Sequence, residues 1–430
     1  MRRRDALKGI GALAGAGAAT RLLGACGDDI SGPVEGITTL VVVCMENRSY
    51  DHYLGARSLL HGLPGDGLVE GMFNPGADGE PVAIYREIAP CVPDPPHGWS
   101  SSRVQWNGGA NDGFMRAYIE SQGASVGPHV MGYFTRDELP VTWAIADAHA
   151  SCDRWFSSVL GPTWPNRMYL HSGQSGGLMS NDLPTQGGID WPSIHHRLSE
   201  AGVPWAYYYQ DLPFVPLFKG VELDGTIRRF MSDFFEDAEA GALPPVCFVE
   251  PAFSASDDHP PHHPMLGQQF LRAVYAALAA SPQWNHCLLV VTYDEAGGFF
   301  DHVGPPLVTD DRADQGFDQL GFRVPAIVAG PYVKPGHVSS VVRDHTSVLA
   351  HIDRMFGLEP LSARSAAAAD LSELIDQDRL AARDPLPPAD LPAVEIDESM
   401  VDGACFGEGA ARRTPTDLER LADAGFFPPE

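Results

Sequence analysis

Positive charge is what this 430-residue sequence has little of: 29 Lys and Arg stand against 56 Asp and Glu, a formal net charge of −27 at pH 7. So acidic a chain repels phosphate backbones and anionic headgroups. That excludes nucleic-acid binding and electrostatic docking on an anionic bilayer, while leaving cations attracted. Cysteine is scarce too. There are seven, at positions 26, 44, 91, 152, 247, 287 and 405, and none forms a CxxC pair, so a zinc ribbon has no support. Cys44, Cys247 and Cys287 fall on strand-like runs and read as small buried hydrophobes, and the spacing implies no disulfide pairing. The mature chain shows no apolar run fit to span a membrane, no internal repeat and no second domain boundary. What remains is globular: 44% hydrophobic and 20% charged residues, in a chain long enough to bury a large core.

The N-terminus reads as an address rather than as fold. Arg2, Arg3 and Arg4 precede a mild Gly/Ala run over residues 9–19, the pattern of a twin-arginine signal peptide, which exports folded proteins. Leu23-Gly24-Ala25-Cys26 follows directly and resembles a lipobox. We therefore expect residues 1–26 to be a signal peptide with Cys26 as a lipidated residue, and the protein to reside in the periplasm or on the cell surface.

The most informative stretch is 288–306, LLVVTYDEAGGFFDHVGPP. A short β-branched apolar run predicts a fully buried strand, and it stops at Asp294 and Glu295. Two adjacent carboxylates at the end of a buried strand are costly to desolvate unless a cation neutralises them. Ligands of open α/β sheets gather at the carboxyl ends of strands. Read alone, the motif is more readily an acidic turn, but a second strand ends the same way. Residues 38–45, TTLVVVCM, run into Glu46 and Asn47, with Ser49 placed to cap a short helix. Glu46, Asn47, Asp294 and Glu295 are thus candidate metal ligands.

Further strands are expected at 203–209, 246–250 and 324–329. Helices are expected from Leu139-Pro140 onward and at 230–240, 266–280 and 347–356. Strands alternating with helices predict a doubly wound, mostly parallel α/β sheet with helices on both faces. Residues 60–111 are rich in Gly, Pro and Asn and read as a long loop, carrying His97; a lone loop histidine is more often a surface residue. In GPTWPNR, Thr163 precedes an expected helix start with Pro165 in its first turn. A hydroxyl there lies among free N–H groups at the positive end of the helix dipole, which suits attack on a phosphate. Locally, however, an N-cap is the commoner use of Thr. The His-rich run Asp257-Asp258-His259-Pro260-Pro261-His262-His263 has no zinc-motif spacing.

Taken together, ENRSYDHYLG (46–55), GPTWPNR (161–167), DDHPPHHPMLGQQF (257–270), SPQWNHCLLVVTYDEAGGFFDHVGPP (281–306) and residues 321–353 resemble the bacterial phosphoesterase family of phosphatidylcholine-preferring phospholipases C and related acid phosphatases. The resemblance spans roughly residues 37–357. It implies an alkaline-phosphatase-like fold over that range, with 358–430 left as a Pro- and acid-rich surface wrap ending in a short helix at Thr414. It further implies that Thr163 is the nucleophile, and that Glu46, Asn47, Asp294, Glu295 and the Thr163 oxygen surround one divalent metal ion. His97 and His259 match histidines that bind the phosphoryl group or protonate the leaving group, with His302 close by. The large phospholipases carry extra C-terminal β-rich domains for which this chain has no room. That weighs against lipid substrates and favours a stand-alone phosphoesterase; the partner expected is a small phosphate ester or a phospholipid head group.

The chemistry suits the residues. A hard cation held by oxygens polarises a phosphoryl group and acidifies a bound hydroxyl. In-line attack then yields a phosphothreonine that water hydrolyses. Two rivals differ in class. A sulfatase would need a Cys or Ser in a C/S-x-P-x-R motif, which the Thr of GPTWPNR does not supply. A catalytically silent exported binding lipoprotein would keep the ligands yet turn over no phosphate ester.

Overall fold

The computed structural model describes residues 36–182, 188–221, 227–397 and 400. The expected signal peptide with Cys26, and the helix expected from Thr414, lie outside the described residues. Eight strands make one sheet: β1 (Thr39–Met45), β2 (Ala150–Cys152), β3 (Trp205–Tyr209), β4 (Ile227–Arg229), β5 (Val246–Glu250), β6 (Cys287–Tyr293), β7 (Ala326–Ala329) and β8 (Val338–Ser339). Their order is β8-β2-β7-β6-β1-β5-β3-β4. β7 runs against both neighbours, β6 and β2. The other described pairings are parallel, so the sheet is mostly parallel, as expected.

β1 and β6 lie side by side at the centre and are buried at every position. Their sequences, TLVVVCM and CLLVVTY, show no polar alternation, because both faces are covered by other elements. The helices used below are α1 (Tyr50–Tyr53), α2 (Trp99–Trp106), α3 (Pro140–Ala148), α4 (Thr163–Ser172), α5 (Pro264–Ala280) and α6 (Thr346–Phe356). Ser49 caps α1 as expected, accepting the His52 N–H at 3.1 Å. α5 buries Phe270, Val274 and Leu278 at helical spacing. It also supplies Gln268, whose Oε1 accepts the Val141 and Thr142 N–H groups at 2.9 and 2.8 Å. Those two donors open α3 and have no partner inside that helix.

Some expectations shift. β3 and β7 begin at Trp205 and Ala326, two residues later than the apolar runs suggest, since Pro204 and Pro325 bring no N–H to a ladder. The presumed loop over 60–111 contains α2 and a hairpin of Phe73–Pro75 with Pro81–Ala83. Cys44, Cys247 and Cys287 are buried and outside any disulfide, as is Cys152, whereas Cys91 is disulfide-bonded. Residues 384–397 carry no regular structure. They run past α5, where Ala389 N–H donates to the Tyr275 hydroxyl at 2.8 Å and Arg272 Nε donates to the Pro392 carbonyl at 3.0 Å. No described helix is long and apolar enough to cross a membrane.

Candidate active site

Met45 and Tyr293 are paired neighbours at the carboxyl ends of β1 and β6. The residues that follow, Glu46-Asn47 and Asp294-Glu295, therefore leave the sheet side by side. Asp294 N–H donates to the Met45 carbonyl at 3.0 Å, and Asn47 N–H donates to Asp294 Oδ1 at 3.2 Å. Asn47 adopts a left-handed backbone (φ 59°), which turns it toward the neighbouring strand end. Gly297 makes the close approach possible: a Cβ there would stand 2.2 Å from the Asn47 carbonyl oxygen. Its own N–H donates to Glu295 Oε2 at 2.7 Å.

His97, on the loop before α2, reaches this cluster. Its Nδ1 donates to the Pro95 carbonyl at 2.8 Å, leaving Nε2 3.4 Å from Asn47 Nδ2 and 3.7 Å from Glu295 Oε1. His259 lies alongside, with ring centroids 5.5 Å apart. Asp94, His97 and His259 bring one ligand atom each within 4.8 Å of one another.

Thr163 is the first residue of α4, and Pro162 occupies the cap position. The commoner role for a threonine there, an N-cap, is thereby overturned: its hydroxyl caps nothing, and the Trp164 N–H is taken by Asn181 Oδ1 at 3.1 Å instead. One turn along, on the same face, stands Arg167. Its wholly buried guanidinium donates to Glu250 Oε2 at 2.6 Å and Asp294 Oδ2 at 3.3 Å, and lies 3.5 Å from Glu46 Oε1. Arg167 thus ties the start of α4 to the ends of β1, β5 and β6.

Charge in this cluster is unbalanced. Glu46, Glu250 and Asp294 surround a single guanidinium, and Glu295 faces His97. Burial pushes the carboxyls of Glu250, Asp294 and Glu295 upward, with Arg167 countering at the first two and His97 at the third. Burial opposes charge on His97, yet Glu295 and Asp94 hold it well above the usual imidazole range. Two buried oxygens facing this region, Asn47 Oδ1 and Glu295 Oε1, accept no hydrogen bond. Carboxylate and amide oxygens left without donors are the donor set of a hard divalent cation, and the residues present fit one.

His302 is not brought into this cluster, contrary to the expectation that it lies near the others. Its Nδ1 is 2.7 Å from Asp51 Oδ2 and its Nε2 3.1 Å from Asp66 Oδ1. Asp51 and Asp301, which with His302 form a second acidic group, are already bridged by Arg323 at 3.0 and 2.8 Å. The sequence reading also missed Arg167, Glu250 and Asp94. Each carried a signal: Arg167 stands four residues after Thr163, Glu250 ends a buried strand as Glu46 follows one, and Asp94 stands three residues before His97.

Compared with known proteins, residues 37–359 match the phosphoesterase family. The chain belongs to that family. It is accordingly a hydrolase acting on phosphoric ester bonds, with a phospholipase C-like catalytic region. Among relatives, it is 34% identical over 370 residues to non-specific phospholipase C1 of Arabidopsis thaliana, covering 77% of this chain and 68% of that protein. Phospholipase C A of Mycobacterium tuberculosis is 31% identical over 415 residues, 80% of this chain and 79% of its own length. Hemolytic phospholipase C of Pseudomonas aeruginosa is 29% identical over 431 residues, 80% of this chain and 57% of its own length. A solved structure of a protein in the alkaline phosphatase superfamily from Vibrio parahaemolyticus aligns over 92% of this chain and 89% of its own, at 10% identity and a TM-score of 0.40.

Proposed function

We propose that this phosphoesterase hydrolyses its substrate through a phosphothreonine at Thr163, with one divalent metal ion held by Glu46, Asn47, Asp294, Glu295 and the Thr163 oxygen. The observation that carries the reading is Arg167. Set one helical turn from Thr163 and bonded to Asp294, it draws the N-terminus of α4 toward the oxygen cluster. When bound, the cation supplies polarisation of the phosphoryl group and acidification of the hydroxyl.

Thr163 Oγ1 attacks phosphorus in line and the ester oxygen departs opposite. The positive end of α4 and the charged His97 draw the phosphoryl oxygens. His259 gives the leaving oxygen its proton. Water then takes phosphorus from threonine. His302 acts at a remove, as a fixed cation between Asp51 and Asp66. The relatives named phospholipases C favour an ester of the phospholipid head-group kind, and a small phosphate ester is the other substrate of the same chemistry.

The catalytic domain is taken as residues 37–357, with the described part of 358–430 wrapping it and the rest of the expected wrap outside the described residues. Export by the twin-arginine route, with a lipid anchor on Cys26, completes the reading. Mass spectrometry of the mature N-terminus tests the anchor: an unmodified start downstream of Cys26 would refute it.

Thr163→Ala tests the centre. With no cap to lose, the fold should persist while turnover falls by orders of magnitude. Thr163→Ser should keep part of the rate. Acid quench and peptide mapping should find phosphate on Thr163. Phosphate on another residue, or a fully active Thr163→Ala enzyme, would remove it from this role. Parallel assays of 4-nitrophenyl phosphate, 4-nitrophenylphosphorylcholine and bis-4-nitrophenyl phosphate distinguish monoester from diester activity.

A further inference from the structure

The acidic pair Asp257-Asp258, on the loop after β5, does what its sequence context did not reveal. Both residues are wholly buried. The Asp257 carbonyl accepts the Glu46 N–H at 2.7 Å, at the point where β1 gives way to the oxygen cluster. One oxygen of its carboxylate, Oδ1, accepts the His259 N–H at 3.0 Å and His262 Nδ1 at 2.6 Å. Asp258 then turns through a left-handed backbone (φ 75°). Its carbonyl accepts Arg48 Nε at 2.9 Å, and its Oδ2 accepts the Tyr293 hydroxyl at 2.6 Å, from the last residue of β6. On α5, Gly267 clears room for this turn, since a Cβ there would lie 1.9 Å from Asp258 Oδ1.

A buried carboxylate persists only where donors meet it, and charge-assisted bonds to fixed donors are directional. Here the donors are the backbone of one candidate catalytic histidine and the ring of a second histidine, while the same residue's carbonyl holds a candidate metal ligand. A loop needing only to be kept down would not require all three from one residue. His259 Nδ1 donates to the Pro260 carbonyl at 2.6 Å, so a proton for the leaving oxygen must come from Nε2, and its aim depends on how the His259 backbone is held.

We infer that Asp257 is a positioning residue for His259, registering the histidine that protonates the leaving group against the strand end that carries Glu46. This rests on the role given to His259 under the proposed function. Asp257 is wholly buried and acts through the hydrogen bond to the His259 N–H.

The test compares 4-nitrophenyl and phenyl esters of whichever phosphoryl group the enzyme turns over. The 4-nitrophenolate leaves without a proton and phenolate needs one. Asp257→Ala should lower kcat on the phenyl ester by about 10–100-fold, the range for losing an orienting partner, and change the 4-nitrophenyl rate by less than about threefold. Bound divalent ion per chain should stay as in the wild type, because the backbone carbonyl under Glu46 remains. Asp257→Asn keeps an acceptor oxygen in place and should restore most of the phenyl-ester rate.

His259→Ala runs alongside. If it too discriminates between the esters and Asp257→Ala does not, the positioning role is refuted while the catalytic reading stands. If His259→Ala affects both esters equally, the leaving-group role itself fails. Should Asp257→Ala not fold, Asp257→Leu, of the same branching without an acceptor, takes its place. Failure of both to fold, or equal loss on both esters with loss of metal, would make Asp257 a residue of the fold and overturn the inference.

Discussion

Replacing His302 with glutamine separates a structural cation from a catalyst. Burial opposes charge on this imidazole, but the hydrogen bond to Asp51 and the charges of Asp51 and Asp301 outweigh it and raise it from 6.5 to about 9. A histidine raised on folding stabilises the native state fully below about pH 6.5, and that stabilisation is lost as the pH climbs through about 9. At about 1.4 kcal/mol for each pH unit, the interval corresponds to about 3 kcal/mol. Asp66, the further carboxylate that meets Nε2, has a side chain 44% exposed. Solvent screening of that pair brings the expected value to about 2 kcal/mol.

His302→Gln should therefore be less stable than the wild type by about 2 kcal/mol at pH 6 and nearly equal to it at pH 10. Urea midpoints of both proteins at pH 6, 8 and 10, at one saturating divalent-ion concentration, give the difference free of groups the two chains share. Activity at pH 7 should fall by less than about tenfold, since His302 touches none of the oxygen cluster. A stability gap independent of pH would refute the charged-imidazole account. Unchanged stability with activity lost by orders of magnitude would return His302 to catalysis.

Asp294→Asn halves the charge offered by the paired carboxylates and should lower both bound divalent ion and turnover, read by metal analysis and initial rates. Full rate in a completely metal-stripped wild type would defeat the single-ion mechanism. Asp353, buried on α6 with both carboxylate oxygens lacking hydrogen-bond partners, is raised by burial from 3.8 to about 7, with Arg197 countering. Its folded form holds a proton that the unfolded chain releases, so ionisation erodes stability as the pH rises from about 4 to about 7. Asp353→Asn should match the wild type near pH 4 and melt at a higher temperature at pH 8; a variant less stable at pH 8 would contradict this.

The central strands were readable because burial on both faces leaves unbroken apolar runs, as in β1, β5 and β6. β2 and β8 were not, since Ala150–Cys152 and Val338–Ser339 are too short to show any period. α2, WSSSRVQW, has no apolar stripe: it buries Ser102 and Gln105, so its neighbours rather than its own pattern make it a helix. The direction of β7 is a property of the connection, and composition says nothing of it. Carboxylates at strand ends were visible as a desolvation problem in search of a cation. The surroundings of His97 were not, because Glu295 and Asp94 reach it only after folding. The family resemblance put His302 close to the shared site, but the chain turns it toward Asp51. Arg167 and Asp257 were hidden for a shared reason. Each acts by linking several elements, and no single window contains its partners.

The pairing of Met45 with Tyr293 works as a machinist's gauge block. The separation of Glu46 and Asp294 is inherited from the spacing of neighbouring strands, about 4.8 Å, rather than cut afresh by either loop. The loops that follow can lengthen or shorten while the reference length beneath stays the same. A deletion of one residue within β1 is a different kind of event. It rotates every later side chain of the strand to the opposite face and sends Glu46 away from its partner. A change of length that the site withstands in its loops it does not withstand in the seven residues of β1.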